Sequence, residues 1–203
     1  KRPVLLVGGG VQNAEAINEL HELGKILKIP MFPTWNALDV VTSDYDYYCG
    51  RIGTYGGAGR NFGVQNSDLL ISIGSRISGR ITGGNVKTFA RKAKKYMIDV
   101  DPGVLKREFQ QVPFDENINC DAKIFINKFK EFLIQKKHVS DKKNNEWLNK
   151  CLEWKKVYDP VKPEYYKNSN TVQPYAFIRE LSKKMKKTDI FVADCGGNIV
   201  TCN

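Results

Sequence analysis

A chain of 203 residues, 41% hydrophobic and with a formal charge of +10, has enough apolar material for one good-sized core plus an appendage. No run of about 18 apolar residues occurs, which excludes a membrane-spanning helix, and two histidines in the whole chain argue against a histidine-rich metal site. The five cysteines (Cys49, Cys120, Cys151, Cys195, Cys202) are odd in number, scattered and without a Cys-x-x-Cys pair, the pattern of a reduced, cytoplasmic protein.

Val4-Leu5-Leu6-Val7 is an apolar run of strand length, and Gly8-Gly9-Gly10 follows at once. Asn13 is placed to cap a helix in which Ala16, Leu20, Leu23 and Leu27 recur at helical spacing, to about Lys28. Strand, glycine turn and helix form the first half of a nucleotide-binding unit. The dinucleotide fingerprint is incomplete, because Asn13 holds the third glycine position and the next strand, Met31 to Thr34, ends without an acidic residue. A nicotinamide cofactor is therefore disfavoured.

Trp35 to Val41 continues from that strand, and Ser43 to Gly50 is a tyrosine-rich connection. Gly53-Thr54-Tyr55-Gly56-Gly57-Ala58-Gly59 reads as a surface turn or as one wall of a ligand cleft. A short helix is predicted over Asn61 to Asn66. Leu69, Leu70, Ile71 and Ile73 then make a strand buried on both faces, stopped by Gly74. Arg76 and Arg80 follow, spaced by serine and glycine. Arginine offers a planar fork to phosphate and glycine admits a close backbone approach; the alternative is a plain strand-to-helix loop with two surface arginines.

Gly79 to Thr88 fails as a phosphate-cradling P-loop, since Val86 rather than glycine precedes Lys87-Thr88. Val86, Phe89, Ala90 and Ala93 predict a helix face, and Tyr96-Met97-Ile98 the next strand. Asp99 and Asp101, at its carboxyl end, suit a ribose or, for Asp101, a helix cap. Asn117 to Cys120 reads as a further strand, and Asp121 opens a helix with Phe125, Phe129, Phe132 and Leu133 toward the core. The alternation predicts an α/β fold with one doubly wound parallel sheet over residues 1–135, whose strand tips share one cleft.

Residues 136–171 read as a Lys-rich linker with one amphipathic helix of about three turns, bearing Trp147, Cys151, Trp154 and Tyr158. From 172 to 203 a helix opened by Pro174, with Phe177, Leu181 and Met185 on one face, leads to a strand Asp189 to Ala193 and to Asp194-Cys195-Gly196-Gly197-Asn198. This reads as the truncated start of another domain in a larger polypeptide. The lysine doublets lie on predicted helix faces and linkers among Glu and Asn, with no aromatic-basic motif, so neither nucleic acid nor membrane is expected as a partner.

Taken in order, several stretches resemble the central domain of thiamine-diphosphate-dependent acetolactate synthases. They are Val4 to Gly10, Gly63-Val64-Gln65-Asn66-Ser67-Asp68-Leu69-Leu70, Met97-Ile98-Asp99-Val100-Asp101 with Cys120-Asp121, and Val192 to Asn198. Arg76-Ile77-Ser78-Gly79-Arg80-Ile81-Thr82-Gly83 resembles the family's Arg-Phe-Asp-Asp-Arg-Val-Thr-Gly, with Ser78 and Gly79 in place of two aspartates, and Tyr55 stands where the family has a histidine. The resemblance implies a Rossmann-like central domain between pyrimidine-binding and diphosphate-binding domains, in a homodimer or tetramer. It implies decarboxylation of pyruvate and ligation to a second 2-oxo acid with thiamine diphosphate and Mg, in branched-chain amino acid biosynthesis. FAD in this domain is implied in a role without net redox, or else a vestigial cleft. Carried over by position, FAD contacts fall on Gly8, Gly9, Gly10, Thr34, Trp35, Asn36, Gly53, Gly74, Ser75, Arg76, Arg80, Ile81, Asp99, Val100, Asp101 and Asp121. No catalytic or metal-binding residue is expected in this chain, which is expected to be inactive alone. A freestanding nucleotide-binding module is the other reading; the histidine that a deacetylase-like module needs is missing, since His21 and His138 fall on the first helix and in the linker.

Overall fold

A computed structural model describes residues 1–167, 170–186 and 188–202. Five strands form one parallel sheet in the order β2-β1-β3-β4-β5. They are β1 (Pro3–Val7), β2 (Met31–Pro33), β3 (Leu69–Ile73), β4 (Lys94–Asp99) and β5 (Glu116–Asn119). The helices in chain order are α1 (Gly10–Asn13), α2 (Ile17–Leu27), α3 (Ala58–Gln65), α4 (Gly79–Thr82), α5 (Ala122–Gln135), α6 (Lys142–Val157), α7 (Pro174–Lys184) and α8 (Gly197–Cys202). No described helix is long and apolar enough to cross a membrane.

The apolar runs are strands because both faces of the sheet are covered. Val4 and Leu6 point to one side, with Leu70, Met97, α3 and α6. Leu5 and Val7 point to the other, with Ile73, Ile98, and Leu20, Leu23 and Leu27 of α2 and Ile126 and Leu133 of α5. Helices α2 and α5 are also joined by Lys123–Glu19, at 3.2 Å, and Lys130–Glu22 ion pairs. On the first face α6 contributes buried Trp147, Leu148 and Cys151. The Trp147 indole N–H donates to the Pro3 carbonyl at 3.1 Å, and Phe62 of α3 sits edge-on to Trp154 and Tyr158. A tryptophan face that lacks a core of its own is thus absorbed by the sheet, and the compact unit runs from Lys1 to Tyr158. At 16 residues α6 exceeds the three turns expected.

A second unit spans residues 159–203. Within it Asp159 takes a bidentate pair from Arg179, at 2.6 and 3.0 Å, and the Tyr166 hydroxyl donates to Glu180 at 2.9 Å.

Four expectations are corrected. The first helix is broken in two: Asn13 ends α1 instead of capping, and Glu15 turns the chain at φ +50. Buried Val11 and Ala16 both press on the core there, which a straight helix does not permit. No helix forms over 86–93 beyond a single 3-10 turn at Val86–Thr88. Ala90 lies at φ +43, and the Lys95 ammonium takes the Ala90 and Ala93 carbonyls that helical amides would need. Phe132 is half exposed, because the core side of α5 follows Phe125, Phe129 and Leu133 at four-residue steps, leaving 132 one residue off the stripe. Residues 189–193 are not a strand, for no strand pairs with them among the described residues.

Candidate functional site

Strand order 2-1-3 places a topological switch between β1 and β3, the position where ligands settle outside the strand tips of open α/β sheets. A cleft of about 1010 Å³ lies there. Its floor is two glycine turns stitched together. Gly8 N–H donates to the Ile73 carbonyl at 2.9 Å and Gly10 N–H to the Gly74 carbonyl at 3.0 Å. A Cβ on Gly8 would lie 2.0 Å from the Gly74 oxygen, and Gly74 itself holds φ +64. Glycine is required at both positions so that the two turns can touch.

One wall comes from the tip of β2. Buried Thr34 donates its amide to the Val7 carbonyl at 2.8 Å, and the chain then winds through a turn at Trp35–Ala37. Two guanidiniums face the Trp35 ring, Arg51 at 5.1 Å and Arg80 at 5.8 Å, and Tyr55 meets it edge-on at 5.9 Å. Asn61 of α3 holds both the N–H and the carbonyl of Gly53 at 3.0 Å, and the Thr54 amide donates to the Arg80 carbonyl at 2.8 Å. The glycine-rich loop is therefore pinned to the arginine loop as a wall.

The arginine loop after β3 continues this lining. Arg76 and Arg80 are exposed, and among the described residues neither forms a salt bridge. Between them Ile77 is buried at φ +50, a conformation rare for a β-branched residue; burial of its side chain overrides the backbone cost and turns the flanking residues outward. At the tip of β4, Asp99 accepts the Asp101 amide at 3.0 Å, and Asn119 donates to the carbonyls of Asp99 and Val100.

Of the residues expected at a cofactor site, Gly9, Gly10, Thr34, Trp35, Asn36, Gly74, Ser75, Arg76, Arg80, Ile81, Asp99 and Val100 line this cleft. Four do not. Gly8 is buried beneath it, and Gly53 borders a smaller pocket of about 140 Å³ behind the wall. Asp101 closes a local turn onto Gly103 N–H at 2.7 Å. Asp121 caps α5, accepting from Lys123 and Ile124 amides at 2.8 and 3.1 Å. Sequence reasoning missed Arg51, Asp39 and Gln12, which also line the cleft. Only Arg51 carries a signal, as one of the two arginines, with Arg60, that flank the glycine-rich loop.

Chemically, the cleft combines backbone that can be closely approached, three guanidiniums, two carboxylates (Asp39 and Asp99) and one indole face. It suits an elongated ligand with anionic and planar parts, and its volume is at the upper end of ligand pockets, about 300–1,000 Å³. Among the described residues no group of three or more His, Cys, Asp or Glu could hold a metal ion.

Such a fold is a doubly wound, Rossmann-like α/β domain, and the chain belongs to the thiamine pyrophosphate enzyme family: residues 1–129 match "Thiamine pyrophosphate enzyme, central domain". Among individual proteins it is 33% identical to the probable acetolactate synthase large subunit of Methanococcus aeolicus, over 98% of this chain and 34% of that protein. It is 40% identical to the acetolactate synthase isozyme 2 large subunit of Escherichia coli, over 53% of this chain and 19% of that protein. To the mitochondrial acetolactate synthase catalytic subunit of Saccharomyces cerevisiae it is 30% identical, over 93% and 27%. The chain thus spans about a third or less of the length of these relatives.

Proposed function

We propose that this chain is the central, FAD-holding domain of an acetolactate synthase-like enzyme, which decarboxylates pyruvate and joins the remaining two-carbon unit to a second 2-oxo acid. In that enzyme the domain sits beside pyrimidine-binding and diphosphate-binding domains, within a dimer or tetramer that uses thiamine diphosphate and Mg. Thiamine diphosphate supplies the carbon–carbon chemistry; FAD takes no net part in oxidation. The chain's own task is to bind and orient.

The observation that carries the reading is the stitched glycine floor flanked by Arg76 and Arg80. A Cβ at Gly8 or Gly10 would come within 2.0 or 2.8 Å of Gly74 atoms and push the two turns apart, so the floor depends on bare backbone there. Arg76 and Arg80 would hold the diphosphate, since guanidinium forks match phosphate oxygens in charge and geometry. Trp35 would give a planar face to a ring, and Asp99 a carboxylate to a ribose hydroxyl. A second reading, a vestigial cleft, draws on Ser78 and Gly79, where the family's two aspartates are absent.

Flavin fluorescence on titrating the purified chain with FAD separates the two. Saturable quenching is expected, weakened about 10- to 100-fold by Arg76→Ala or Arg80→Ala, the loss of one or two charged hydrogen bonds. No saturable change at any FAD concentration would leave the vestigial cleft standing.

A further inference from the structure

Cys49 and Cys151 are far apart in the chain and together in the fold. Cys49 ends the segment that bridges to Met31, its amide donating to the Met31 carbonyl at 3.0 Å. Cys151 lies in the middle of α6. Both are free thiols, and both are buried in the same apolar cluster, 0% and 1% exposed. Cys49 is the first cause, ahead of burial, that holds the Cys151 thiol above its ordinary range. One turn further along α6, Lys155 donates to the Tyr48 carbonyl at 3.0 Å, and its ammonium lies 5.0 Å from the Tyr48 ring centroid. Residues 151 and 155 share a helix face and residues 48 and 49 are neighbours, so two separate contacts set the register that brings the sulfurs together.

We propose that Cys49 and Cys151 form an oxidisable dithiol, at which a hydroperoxide converts α6 from a packed helix into a covalently tethered one. The neighbouring Cys49 side chain and burial keep the proton on Cys151, so the first attack falls to Cys49. Its sulfur attacks one peroxide oxygen, the O–O bond breaks, and the departing hydroxide leaves as water with the Cys49 proton. The Cys151 sulfur then displaces hydroxide from the resulting sulfenic acid. The S–S bond forms, the S–O bond breaks, and the Cys151 proton completes a second water. Two electrons pass from the sulfurs to the peroxide, and a small dithiol reverses the change. Burial makes the event conditional. Peroxide meets Cys49 only when α6 lifts, and the bridge closes when α6 returns. The tether would close a loop of roughly a hundred residues, the kind that gains most from a crosslink.

Hydrogen peroxide, a non-reducing peptide map and thermal melting test this on the unsubstituted chain. Expected are a linked Cys49–Cys151 peptide, a melting temperature raised by about 5 °C or more and restored by dithiothreitol, and an oxidation rate that levels off as peroxide increases. Cys151→Ala should leave Cys49 as a sulfenic acid that a dimedone probe traps, with no rise in melting temperature. A map that links other cysteines, or in which exposed Cys195 oxidises while Cys49 and Cys151 stay reduced, overturns the proposal. The map decides this whether or not the variant folds.

Discussion

At the scale of single residues, the same thiol pair gives the protein an alkaline edge. The Cys49 side chain, and then burial, push the Cys151 thiol above its ordinary 9.0. Above that pH the unfolded chain releases a proton that the folded chain retains. The contribution is therefore fully present below the unfolded value and is lost as pH rises past it. Burial raises the Tyr45 phenol above its ordinary 10.0 in the same way, adding a later loss. Lys155, lowered from 10.5 by burial, works in the opposite direction as pH approaches that value. Under reducing conditions, melting temperatures across about pH 7 to 11 should begin to fall near pH 9, and in Cys151→Ala near pH 10. Identical profile shapes would show that Cys151 does not set the first decline. At this scale the sequence was legible only where neighbours in the chain make the site. Gly8 to Gly10 and Gly74 to Arg80 could be read because each is a short run at a strand tip. The approach of Arg51 to Trp35, and of Cys151 to Cys49, depends on how loops and helices return over the sheet.

At the scale of elements, the strands were the readable part. Val4 to Val7 and Leu69 to Ile73 are apolar on both faces, as interior parallel strands must be. The misread elements failed for local reasons. A lysine ammonium replaced helical amides at 90–93, and two buried anchors, Val11 and Ala16, broke the first helix. Asp121, an expected cofactor contact by resemblance, caps a helix in the fold. Its carboxylate takes the first amides of α5, so Asp121→Ala should cost about 1 kcal/mol in denaturant melts. Because the carboxylate is engaged there and lies outside the cleft lining, FAD affinity should be unchanged. A loss of affinity with stability intact would return Asp121 to the site.

At the scale of the whole molecule, the boundary of the compact unit matters most. The family match ends at residue 129, yet the unit closes only at Tyr158. Removing α6 uncovers the surface under Trp147, Leu148 and Cys151, at about 1.5–3 kcal/mol for each large apolar side chain. That is comparable with the total stability of an ordinary domain, about 5–15 kcal/mol. A chain ended at Gln135 should therefore melt without a cooperative transition, whereas one ended at Tyr158 should melt cooperatively, as calorimetry can show. Equal melting of the two would make α6 dispensable.

The place of β1 between β2 and β3 also bears on synthesis. Pro3–Val7 leaves the ribosome before both of its partners, pairing on one side with residues 31–33 and on the other with residues 69–73. At roughly 5–20 residues per second, Val4-Leu5-Leu6-Val7 waits several seconds for its second neighbour. During that interval an apolar strand is a naked edge, open to chaperones and to other unfinished copies alike.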